Sequence, residues 1–208
     1  LNTAASGSKA WMTRLDSNYR NTGQSALHTP FFLLDTNKVY SMHFNHNMIS
    51  ELYHDGGSVD WSYDGGITWY TLGNTLTNGL WYNTVHVTSL DIVRPGWSGN
   101  TNGYINSTIK FTVENPGKLV FRFRFGSDFT IDKQGWALDD FCLEEAPFGT
   151  PADIVGIGVP EVEIPGFFLG HISPNPLDGQ GAFMFNSDKP VTVQYTITNS
   201  LGQILSDA

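Results

Sequence analysis

Short runs in which apolar and polar residues alternate dominate the first two thirds of the chain. Tyr40, Met42, Phe44, His46 and Met48 alternate with Ser41, His43, Asn45 and Asn47. The same period of two recurs at Val59, Trp61 and Tyr63, at Ile109, Phe111 and Val113, and at Leu119, Phe121, Phe123 and Phe125. A pleated strand turns successive side chains to opposite faces, so each run predicts a strand with one face in a core and the other in water. Turns rich in Gly, Asn and Pro separate the runs, and helical periodicity is nearly absent. The pattern predicts an all-β fold: one antiparallel β-sandwich over residues 1–147, with Trp61, Trp69, Phe121, Phe123 and Trp136 as core bulk.

From residue 148 to 168 the pattern breaks. Pro151, Pro160 and Pro165 fix φ and remove backbone donors, and acidic residues lie between them, so the segment reads as a linker. A second β-rich stretch over 169–208 opens on Ser173-Pro174-Asn175-Pro176 and continues through Val191, Val193, Tyr195 and Ile197. About three strands cannot close a core alone, so this unit is expected to be partial or completed by something else. Leu1 is not an initiator Met and no signal peptide precedes it, which reads as a mature or excerpted chain.

Composition narrows the function classes. The 208 residues carry a net charge of -9, with only 15% charged and 13% aromatic. Phosphate neutralisation needs clustered Lys and Arg, so a nucleic-acid partner is not expected. The single cysteine, Cys142, excludes an intrachain disulfide and reads as a buried structural thiol. The six histidines show no HExxH spacing, and Gly96-Trp97-Ser98-Gly99 lacks the spacing of a nucleophile elbow. The reading is therefore not an enzyme.

Three sets of residues carry candidate chemistry. Ser62 to Trp69, with Asp64-Gly65-Gly66 at its turn, has the spacing of an Asp-box, which serves as a sugar site or, the favoured reading, as a hairpin staple under Trp69. Carboxylates recur at Glu51, Asp55, Asp60, Asp128, Asp132, Asp139 and Asp140. Adjacent strand residues face opposite ways, so one of Asp139 and Asp140 is expected to point inward, paired with an amide, an Arg or a cation. Hard oxygen ligands suit a structural Ca²⁺. Trp81, Tyr82, Trp97 and Tyr104 lie in turn-rich stretches, where they either form a platform for a glycan or protein ligand or roof the core.

Several pieces recur in a family's order: Lys9-Ala10-Trp11, Thr29-Pro30-Phe31-Phe32, Glu51 to Gly57 leading into the Asp-box, Phe123 to Asp128, and Gly135 to Phe141. The series resembles MAM-like jelly-roll modules of surface and secreted Bacteroidota proteins. That resemblance implies Ca²⁺ held by Glu51, Asp139 and Asp140, with Asp55 as a further ligand. The tail, through Ile172 to Pro176 and Asn199 to Ile204, resembles the C-terminal sorting domain of type IX secretion cargo. The resemblance implies a partial Ig-like second sandwich bound by outer-membrane β-barrel components of the secretion machinery, with Pro174, Asn175, Pro176 and Gly202 as recognition residues. The expected function is a secreted or cell-surface adhesion or accessory module of a Gram-negative bacterium. The alternative is a carbohydrate-binding module of a larger secreted hydrolase.

Overall fold

A computed structural model describes residues 3–90 and 94–158 with their side chains. Beyond these it describes the backbone of strand segments 167–169, 173–178, 180–182, 185–187, 196–198 and 204–207. The chain divides into two units, Leu1–Val159 and Pro160–Ala208.

Two sheets build the first unit. One has the order β1 (Trp11–Met12), β11 (Gly135–Glu145), β4 (Val39–Ile49), β9 (Ile105–Val113), β12 (Ile154–Ile157). The other runs β2 (Gln24–His28), β10 (Gly117–Gly126), β5 (Gly56–Ser62), β8 (Arg94–Ser98), β7 (Thr84–Val87). Two short strands flank that path, β3 (Phe32–Leu34) on β10 and β6 (Tyr70–Thr71) on β5. Every pairing is antiparallel except that of β12 with β9. The result is an all-β, jelly-roll-like sandwich.

Alternation places the core. Along β4 burial switches at every residue, with Tyr40, Met42, Phe44, His46 and Met48 inside. From the opposing sheet β10 sends in Leu119, Phe121, Phe123 and Phe125. Trp97 is the hub, with its ring 5.6 Å from Phe44, 4.7 Å from His46, 5.1 Å from Trp81 and 4.6 Å from Tyr82. Edge-to-face geometry dominates these contacts, as the ring quadrupoles prefer. Gly56 and Gly57 open β5. A Cβ on Gly57 would sit 2.4 Å from the Trp136 ring, and one on Gly56 would sit 2.2 Å from the Trp97 carbonyl oxygen. Only glycine lets Trp136 and β8 approach β5 this closely.

Two expectations change here. Residues 154–157 of the expected linker join the first sheet beside β9, and Asp153 fastens the crossing, accepting from the Lys110 amide at 2.8 Å. The first unit thus continues past residue 147. Trp69 is half-buried outside the core: its indole donates to the Gly66 carbonyl at 2.8 Å, and Arg122 lies 4.2 Å over its ring.

In the second unit three two-stranded pairs are described. β13 (Phe167–Leu169) pairs with β16 (Phe185–Ser187), β14 (Ser173–Asp178) with β15 (Gln180–Ala182), and β17 (Thr196–Thr198) with β18 (Ile204–Asp207). Pro174, Asn175 and Pro176 fall within β14. Gly202, Val191, Val193 and Tyr195 lie outside the described residues.

Candidate functional site

An acidic group forms where β4 hands over to β5. β4 stops at Ile49, and residues 50–55 turn the chain from one sheet to the other. Ser98 Oγ holds the turn by donating to the carbonyls of Glu51 and Asp55, at 3.0 and 2.7 Å. β10 ends opposite the start of β5, with Gly126 in register with Gly56, so Asp128 emerges beside Asp55. The Asp128 amide donates to Asp55 Oδ1 at 2.7 Å, and the Tyr19 hydroxyl donates to Asp55 Oδ2 at 2.7 Å. Among the described residues, Glu51, Asp55 and Asp128 bring carboxylate oxygens within 4.8 Å of one another.

The environments of the three differ. Asp55 is buried, and desolvation pushes its carboxyl above the usual range against the opposing pull of the Asp128 and Tyr19 bonds. Asp128 is pulled below that range by the Thr130 hydroxyl and amide. Glu51 accepts from the Thr130 hydroxyl at 2.7 Å and the Ile131 amide at 3.3 Å. Burial and the Asp55 bond push the Tyr19 phenol up. Three converging carboxylates, one of them desolvated, are a donor set that fits a hard divalent cation, which takes six to eight oxygens with carbonyls and water.

Asp139 and Asp140 stand elsewhere. Asp139 is in register with Asn45, four residues before β4 ends at Ile49, or about 13 Å of strand short of the turn that carries Glu51. Its Oδ2 accepts from the amides of Ala5 and Ser6, at 2.8 and 3.1 Å. Asp140 binds the Ser6 hydroxyl and Asn45 Nδ2, which hold its carboxyl below the usual range. Asp139 is buried and spends its carboxylate on backbone amides, one of the partners expected for an inward acid, while Asp140 is exposed. One extra residue in β11 makes a bulge at Asp140, which adopts a left-handed φ of 50°, and the bulge resets which residues face in. The pair docks the N-terminal segment instead, with Tyr104, whose hydroxyl donates to the Thr3 carbonyl at 2.7 Å.

The proposed aromatic platform is not a surface. Trp81, Tyr82 and Trp97 are 2%, 4% and 1% exposed, so they roof the core. Their polar tips are spent on backbone: Trp81 donates to the Leu72 carbonyl at 2.8 Å, Trp97 to Leu80 at 3.2 Å, and Tyr82 to Val59 at 3.0 Å. The Asp-box is a staple: Asp64 Oδ1 accepts from the amides of Ile67 and Thr68 at 3.0 and 2.8 Å. These bonds hold its carboxyl down to about 2.

Asp128 is among the carboxylates the sequence offers but not among the expected metal ligands, and Tyr19 is not among the candidates. Nothing local marks either as a partner of Asp55: the pairing of β10 with β5 brings Asp128 there, and Tyr19 reaches it from a segment outside any strand. The fold and site define a two-sheet β-sandwich with an acidic cluster at one end. No protein-family model matches the chain, and no curated protein matches it.

Proposed function

We propose that this chain is a non-catalytic secreted or cell-surface module of a Gram-negative bacterium, exported as type IX secretion cargo. The sandwich is the passenger, serving adhesion or an accessory role, and the tail is the address. The observation that carries this reading is the division of the chain at Val159–Pro160. The first unit closes its own two-layered core, so the passenger folds without the tail. The second unit brings Pro174, Asn175 and Pro176 in its strand β14 for outer-membrane β-barrel components of the secretion machinery to bind. Both prolines fix φ and restrict the residues before them, which suits a rigid recognition segment. Within the passenger, Glu51, Asp55 and Asp128 hold a structural Ca²⁺ that ties the β4–β5 turn to the end of β10. The carbohydrate-binding alternative loses support, since three of its four platform residues lie in the core.

Deleting residues 160–208 in the native host tests the address. A folded passenger accumulating in the periplasm is the expected result. Normal amounts of truncated protein at the surface or in the medium would refute the assignment.

A further inference from the structure

On the outer face of the five-stranded sheet, the bulge in β11 has a second consequence. Up to Asp139 the pairing with β4 is regular, and Asp139 faces Asn45. With the extra residue, Cys142 rather than Phe141 comes opposite His43. Phe141 and Leu143 pack against the core, while Cys142 and Glu144 take the outer positions. His43 already faces outward between the buried Met42 and Phe44. An imidazole nitrogen, the only thiol of the chain and a carboxylate oxygen thereby come within 4.8 Å of one another.

We infer that His43, Cys142 and Glu144 form a Zn²⁺ site, with water as the fourth ligand. The donor types select the metal. A thiolate and an imidazole favour a borderline-soft ion over Ca²⁺ or Mg²⁺, and Zn²⁺ accepts a carboxylate beside them. Tetrahedral bonds of roughly 2.0–2.3 Å put ligand atoms about 3.3–3.8 Å apart, so rotation of partly exposed side chains completes the geometry. His43 and Cys142 are cross-strand neighbours on paired strands, so the backbone holds two of the three ligands without a loop to order. On binding, the Cys142 thiol gives up its proton to solvent. The outer face leaves the fourth position open to water.

Cobalt tests this, because Co²⁺ takes tetrahedral zinc sites and reports a thiolate ligand spectroscopically. Titrating Co²⁺ into the full chain, with the thiol verified as free, is expected to produce a thiolate-to-cobalt charge-transfer band and the intense visible bands of tetrahedral cobalt. Zn²⁺ should erase both, and excess Ca²⁺ should leave them unchanged. Cys142→Ser should abolish the charge-transfer band. His43→Ala and Glu144→Ala should each weaken binding at least tenfold. All three variants lie on an outer face, and near-ultraviolet circular dichroism checks their fold. No band in the unsubstituted chain overturns the assignment. So does a cobalt affinity that either His43→Ala or Glu144→Ala leaves unchanged, which would mean that the thiol binds metal without the cluster.

Discussion

His46 is fully buried in the middle of β4, and its two ring nitrogens are committed in opposite senses. Nδ1 accepts from the Trp136 indole at 3.1 Å. Nε2 therefore carries the proton and donates to Ser107 Oγ at 2.9 Å, and Ser107 donates onward to the Leu80 carbonyl at 2.8 Å. A second proton on Nδ1 would face the indole N–H, donor against donor, in a fully buried site. Desolvation lowers the pKa of this imidazole from 6.5 to about 3. The unfolded chain keeps the ordinary value, so between these limits it binds more protons than the folded chain. Stability from the neutral ring is fully present above pH 6.5 and falls away as the pH drops toward 3. At about 1.4 kcal/mol per pKa unit, the loss is roughly 2 kcal/mol between pH 7 and 5, and about 3 kcal/mol by pH 4. Urea denaturation followed by tryptophan fluorescence measures it across that range. The control is His46→Gln, whose amide keeps an acceptor for Trp136 and a donor for Ser107 but does not titrate. This variant should start less stable and lack the His46 share of the acid loss, while every carboxylate cancels in the comparison. Parallel stability curves for the two proteins would falsify the argument.

Two further outcomes follow from buried carboxylates. Asp60 is fully buried on the outer side of the seven-stranded sheet, where Arg94 and Arg122 each reach it at 2.8 Å. Asp60→Ala strands both guanidinium groups and should cost about 3–5 kcal/mol in urea titrations; a loss below about 1 kcal/mol would mean that water already screens the pair. For the Ca²⁺ reading, thermal melts in calcium should exceed those in chelator, with a gain of about 2.7 kcal/mol at a hundredfold excess over Kd. Asp128→Asn should remove that difference and Asp139→Asn should preserve it; the reverse pattern would return the ion to Asp139.

By itself the sequence determined which residues of β4 and β10 face inward. Tyr40, Met42, Phe44, His46 and Met48 are buried as their alternation requires, as are Phe121 and Phe123, because the pleat is a local property of the backbone. The Asp64 staple was legible for the same reason: all its hydrogen bonds close within four residues. Only the tertiary structure decided which strands are neighbours, and most of the site chemistry depends on that. Trp97 sits in a stretch that reads as a loop, yet β8 lies against Gly56 and Gly57, and the ring is enclosed. Glu51 and Asp55 are close in sequence, but their third partner, Asp128, arrives 73 residues after Asp55 through the pairing of β10 with β5. The single inserted residue at Asp140 has no signature in period-two patterning. It turns Asp140 outward, sends Phe141 to the core and sets Cys142 beside His43. Alternation is set by each residue's own bonds. Register across a bulge and the choice of partner strand are settled by the whole core packing at once.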